Sequence, residues 1–221
     1  DLDQADIDFL VSQYDGEIRY LDDQLRMLFG RRQAEGFLDN AVGLITADHG
    51  EEVADHGGLL HRATLFDELV RVPFIVWGRG VPVGAVDPAM VSTIDIAPTL
   101  LAAAGIEPPA TMEGRDVLAP NTTPWADQRT FAQYGASLYS VRTPRYKLIR
   151  LHSGRLKLYD LLDDPLERRN RAAARPELAA ELSAELEAWR QARPRLAVDA
   201  VATTEIDPAT EERLRTLGYI D

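Results

Sequence analysis

Residues 46–61, TADHGEEVADHGGLLH, hold three of the chain's four histidines together with Asp48 and Asp55. Imidazole is the commonest metal ligand and the side chain most readily protonated near neutral pH, so the cluster suggests cation binding and proton transfer. Asp48 and His49 directly follow AVGLITA, a β-branched apolar run that reads as a strand buried on both faces. In α/β sheets ligands bind beyond the carboxyl ends of strands, which is where these two side chains fall. A neighbouring carboxylate and imidazole reach one cation only if the backbone turns sharply, and Gly50 permits that. The alternative is that Asp48 caps a helix and His49 is merely solvated. His61 lies thirteen residues past Asp48, beyond Gly57 and Gly58. A loop of that length can fold back and set a cationic donor opposite the metal. Sulfate and phosphate esters want that arrangement: a cation neutralises one side while an acid protonates the leaving oxygen. Taken alone, His61 reads as a surface histidine, and His56 as a residue that orders the loop or supports a ligand from behind.

These residues need elements to position them. Residues 3–29 predict one amphipathic helix, with Ile7, Leu10, Val11, Tyr14, Ile18, Leu21, Leu25 and Leu28 on one face and Gly30 as its stop. VPFIVWG, residues 72–78, predicts a second buried strand, and TLFDELVR before it a short helix. STIDIAPTLLAAAGI predicts a turn feeding a helix, with Pro98 in the first turn and Gly105 at the stop. Strands alternating with helices predict an α/β domain with a mostly parallel sheet flanked by helices. After NTTPW the pattern changes. RTFAQY, YSVRTPRYKLIRL and RLKLYDL read as short strands of a small antiparallel sheet. RPELAAELSAELEAWRQAR reads as a helix presenting Leu178, Leu182, Leu186 and Trp189 inward and ending at Pro194. DPATEERLRTLGYID predicts a last short helix. The expected division is 1–125 for the α/β portion, 126–195 for a small α+β unit, and 196–221 for a tail.

Composition narrows the function classes. A net charge of −12 argues against nucleic-acid partners, which need a basic face, and against unaided docking on an anionic membrane. No apolar run approaches the ~20 residues of a spanning helix, and DLDQADIDFL has neither the basic nor the apolar region of a signal peptide. Without cysteine there is no disulfide, thiolate ligand or cysteine nucleophile in these residues. Asp95, Pro98 and Thr99 read as a structural turn. Asp164 and Asn170 in DDPLERRN read as loop caps, since the spacing does not fit an EF-hand. Asn121-Thr122-Thr123 is formally a glycosylation sequon, expected to be unused in a bacterial source. The basic residues around TPRYK, and Lys157, read as solvated strand edges or as the mouth of a site for an acidic ester.

Several segments in order resemble the sulfatase family of the alkaline phosphatase superfamily. ITADHGEEVADHGGLLHRATLFDELVRVPFIVWGRG resembles its C-terminal metal-site segment. YDGEIRYLDDQL is similar to the preceding helix, and VSTIDIAPTLLAAAGIEPPATMEGRDV to the segment after it. VRTPRYKLIR, LYDLLDDPLERRN and LRTLGYI resemble its C-terminal strand, acidic turn and terminal signature. The resemblance implies that Asp48 and His49 are the metal pair and that His61 is the catalytic, substrate-facing cation. It also implies one divalent cation, Ca²⁺ by family, with Zn²⁺ or Mn²⁺ compatible with an imidazole ligand. The implied substrate is a sulfated small molecule or glycan, and the implied compartment periplasmic or extracellular. Phosphomonoesterases, phosphodiesterases and phosphonate hydrolases share the scaffold. A binding protein that kept the fold without catalysis is the remaining alternative. The family's nucleophile motif, Cys/Ser-x-Pro-x-Arg, and its second carboxylate pair are absent, so the chain is expected to be the C-terminal half of a longer enzyme and inactive alone. His61 stands where the family more often has lysine.

Overall fold

A computed structural model describes residues 2–61, 63–120, 122–193 and 207–216. The expectations placed on Asn121, on Pro194 and on the LGYI end of the chain lie outside these residues.

The first helix, α1 (Gln4–Ala34), starts in a capping box in which Asp3 and Asp6 accept each other's backbone N–H. It runs through Gly30. A mid-helix glycine costs only ~1 kcal/mol, which the flanking turns outweigh. The real stop is Gly36, whose φ of +70° is free only for glycine. There Phe37 N–H bonds the Arg32 carbonyl and Gly36 N–H that of Gln33, the paired bonds of a Schellman ending. Of the expected apolar face, Val11, Tyr14, Ile18, Leu21 and Leu28 stay exposed. Contact is clearest near the end, where Phe29 meets Trp77 edge-on at 5.3 Å.

Strand β1 (Val42–Thr46) pairs with β4 (Phe74–Gly78), as the two apolar runs predict, but antiparallel, with Val42 opposite Gly78 and Thr46 opposite Phe74. The mostly parallel sheet expected of this region is not seen in this pair. A parallel pair needs a crossover to the far end of the sheet. Here residues 47–73 leave and return at the same end, through the hairpin β2 (Glu52–Val53) and β3 (Leu59–Leu60) and the single turn α2 (Asp67–Val70). The whole histidine stretch therefore lies beyond the carboxyl end of β1.

A 3₁₀ turn (Thr93–Asp95) feeds α3 (Ile96–Ala103), which stops at Gly105 as expected. The structural reading of this turn holds. The Asp95 carboxylate accepts N–H bonds from Ser92 and Arg115, and Thr99 Oγ1 donates to the Asp95 carbonyl and accepts from Val117.

Strands β5 (Thr130–Tyr134), β6 (Leu138–Arg142), β7 (Tyr146–Arg150) and β8 (Leu156–Asp160) form the expected antiparallel meander. Helix α4 (Pro176–Ala192) covers one face. Leu182 and Leu186 are buried against Val141, Leu148 and Leu158, with Leu178 and Trp189 at the margin. The other face is covered too: Leu138, Ile149 and Tyr159 pack against Leu65 and Phe66, just before α2. That second layer fastens the histidine loop to the small sheet. Asp164 and Asn170 cap backbone groups, Asp164 accepting from Arg168 and Arg169, Asn170 from Leu158 and Ala172. Helix α5 (Pro208–Thr216) is the last element described.

Candidate active site

Beyond β1 the backbone turns at Gly50, whose amide donates to the Leu69 carbonyl. A Cβ at this position would lie 1.9 Å from the Glu68 carbonyl oxygen, so α2 can approach this closely only because residue 50 is glycine. The turn holds the His49 ring in one orientation. Its Nδ1 lies 3.0 Å from the Gly50 carbonyl oxygen, which can only accept, so Nδ1 carries the hydrogen. In the neutral ring Nε2 is then a lone-pair acceptor, and it is buried without a hydrogen-bond partner. Asp48 Oδ2 lies 3.8 Å away on a largely exposed side chain. A ring whose N–H is fixed by a backbone carbonyl and whose other nitrogen is unsatisfied beside a carboxylate has the donor set of a cation site.

The β2–β3 hairpin returns the chain so that His61 falls against His49, with ring centroids 4.4 Å apart. Leu60, immediately before it, takes φ +64°, a strained conformation for a non-glycine residue. His61 Nδ1 donates to Glu51 Oε1 at 2.7 Å. Ligand atoms of His49, Glu51 and His61 all lie within 4.8 Å of one another. His61 thus sits beside His49, where the loop length alone suggested a position opposite. Glu51 was not singled out by sequence reasoning. It lies just before β2, where no periodic pattern marks a residue.

His56 faces away from this group. Its ring stacks on Phe66 at 3.6 Å, with Nδ1 at 2.6 Å from Glu68 Oε1 and Nε2 at 3.2 Å from the Glu167 carbonyl. Glu52, nearly fully buried, accepts the N–H groups of His56 and Gly58. The loop-ordering reading of His56 agrees with this geometry.

Asp48, His49 and His61 line a cavity of about 670 Å³ whose far wall is the small sheet, including Phe131, Gln133, Ser140, Arg142 and Lys147. Lys147 is wholly buried, which corrects its reading as a solvated strand edge. Both faces of the sheet are covered, so alternation offers it no wet side. Its Nζ sits 2.8 Å from Asp67 Oδ1 and 3.0 Å from Glu167 Oε1; Arg142 also binds Asp67, and Glu167 accepts the Asp67 N–H at 2.6 Å. Burial alone would raise the Asp67 carboxyl, but the charges and hydrogen bonds of Lys147 and Arg142 hold it below the usual carboxylate range. Burial pushes Glu167 the other way, upward, with Lys147 opposing. Lys157 lies over the Phe66 ring at 4.8 Å.

Comparison with known proteins fits this geometry. Residues 55–192 match the C-terminal family model of N-sulphoglucosamine sulphohydrolase, and the chain belongs to the sulfatase family. It is 29% identical over 166 residues to arylsulfatase K of Rattus norvegicus, covering 67% of this chain and 29% of that protein. It is 28% identical over 176 residues to the N-acetylglucosamine-6-O-sulfatase of Bacteroides thetaiotaomicron, covering 72% and 31%. The solved phosphonate monoester hydrolase of Agrobacterium radiobacter shares the fold, with a TM-score of 0.71 and 24% identity over 84% of this chain and 42% of its own. The chain spans about a third of the length of the curated relatives it matches. Enzymes of the family generally use a divalent metal.

Proposed function

We propose that this chain supplies the metal-pair and leaving-group side of a sulfatase active site, in a longer enzyme that hydrolyses sulfate esters of sugars. The observation that carries the reading is His49: a ring locked by Gly50, with a buried, unsatisfied nitrogen beside Asp48 at the end of a strand. Asp48 and His49 would hold the cation, Ca²⁺ by family resemblance. When bound, that ion neutralises charge on the sulfate oxygens. His61 faces the same cavity and would deliver a proton to the departing alcohol oxygen, so that the sugar leaves neutral. The small sheet forms the far wall, where Gln133, Ser140 and Arg142 can hydrogen-bond a sugar. Support for a sugar substrate comes from the relative named for N-acetylglucosamine 6-O-sulfate hydrolysis.

Around this core we propose the rest of the assembly. The nucleophile and second carboxylate pair would come from an upstream half that also completes a mostly parallel sheet around β1. Residues 1–125 would belong to that α/β portion, 126–195 to the small unit and 196–221 to a tail. A periplasmic or extracellular, bacterial setting fits glycan desulfation. Among the described residues no helix is long and apolar enough to cross a membrane. The test is Asp48→Ala in the parent enzyme, assayed for bound metal and for sulfate release. Loss of both is expected, and a variant with parental metal content would refute the assignment. The shared fold of the phosphonate hydrolase makes a phosphonate ester the control substrate.

A further inference from the structure

We propose that Glu51 is the positioning residue of His61, setting which edge of the ring meets the substrate; this rests on the reading of His61 as the acid. The two side chains meet at 2.7 Å, Nδ1 to Oε1, and both are mostly withdrawn from solvent. A carboxylate only accepts, so the contact commits the Nδ1 hydrogen to Glu51. Chemistry at a leaving oxygen then falls to Nε2, on the far side of the ring. A histidine ring turns about two torsions, and one fixed edge removes the ring-flipped alternative that would present the wrong nitrogen. The ring's lateral position is set by the tilted contact with His49 and by the left-handed turn at Leu60. Such strain persists only where the surroundings over-determine the backbone, and Glu51 supplies one of those constraints. The neighbouring Glu52 is occupied by hairpin amides. Two consecutive glutamates thus do different work: one builds the hairpin, the other aims the histidine the hairpin delivers.

The experiment compares Glu51→Ala with Glu51→Gln in the parent enzyme, alongside long-range ¹H–¹⁵N spectra of histidine-labelled protein. The glutamine side chain keeps an acceptor oxygen for Nδ1–H. The alanine variant should lose about 10–100-fold in kcat, as partners behind functional histidines do, with KM changed less than about three-fold and bound metal unchanged. Glutamine should recover most of that loss. As the acid the ring carries hydrogens on both nitrogens and gives up the one on Nε2. In spectra recorded where the ring is neutral, His61 should appear as the Nδ1–H tautomer in the parent and the glutamine variant, and as a mixture in the alanine variant. Parental kcat in Glu51→Ala beside a crippled His61→Ala would overturn the positioning role alone. Loss of metal from Glu51→Ala would also overturn it, by making Glu51 a ligand. If His61→Ala itself kept parental kcat, the acid reading would fall and the positioning role with it.

Discussion

Two triplets of imidazole and carboxylate groups gather around the histidine loop: Glu52 and His56 with Glu68 of α2, and His49 and His61 with Glu51. Each gathers its ligand atoms within 4.8 Å, and proximity alone cannot tell them apart. Hydrogen-bond accounting can. In the first triplet both His56 nitrogens have protein partners, and Glu52 is occupied by two backbone amides. Its groups satisfy one another and hold the loop to Phe66 and Glu167. In the second, His49 keeps a buried nitrogen without a hydrogen-bond partner, 3.8 Å from Asp48, on a residue that lines the cavity. Folded proteins rarely leave such groups orphaned, and those they do leave call for an explanation in function. The difference between a structural and a functional cluster lies in what remains unsatisfied.

Substitutions that break this contrast are expected to act on different observables. The largest effect should come from His61→Ala in the parent enzyme. Loss of a general acid costs about 10²–10⁴-fold in kcat, measured by steady-state sulfate release, with bound metal retained. Lys147→Ala should act on stability instead. It leaves Asp67 and Glu167 buried without their shared cation, and breaking such a network costs about 3–5 kcal/mol, read from urea denaturation. His56→Ala should cost less, about 1–3 kcal/mol for buried acceptors left without a donor, with metal content at the parental level. Metal loss from His56→Ala would erase the distinction between the triplets.

Acid should give the smallest and most graded effect. Hydrogen bonds from Arg190 and Gln191 bring Glu187 down to about 2, the Arg145 hydrogen bond lowers Asp160, and Asp67 is depressed as described. A carboxylate depressed on folding adds stability above its unfolded pKa and loses it as pH falls through the folded value. Glu167 has the opposite sign: raised on folding, it takes up its proton first in the native state, so its contribution improves as pH drops toward the ordinary carboxylate range. Urea midpoints should therefore hold or rise slightly just above pH ~4.3, the ordinary Glu value, and then fall steadily toward pH 2. A rise that persists unchanged in Glu167→Gln would show that Glu167 is not its source.

How much of this was legible depended on whether the signal is local. AVGLITA, VPFIVWG, the four-strand meander and the Leu182–Leu186 face of α4 were readable because periodicity and turn residues report elements directly. The antiparallel pairing of β1 with β4 was not, because it depends on where residues 47–73 return. Gly30 looked like a stop because glycine is a weak helix former, yet the 31-residue helix absorbs both Gly16 and Gly30. Lys147 was misread because alternation predicts a wet face, and Leu65 and Phe66 cover that face from elsewhere in the chain. At the site, residue type and spacing marked Asp48, His49 and His61 as candidates, and the structure brings His49 and His61 together. Glu51 escaped because a carboxylate in a polar loop has no pattern until its partner is placed.

The most direct test measures bound divalent metal, by mass spectrometry of exhaustively dialysed parent enzyme, in His49→Ala and His56→Ala prepared side by side. The account predicts that His49→Ala loses the ion while His56→Ala keeps it despite lower stability. Parental metal in His49→Ala would contradict the assignment of the cation to the Asp48–His49 pair.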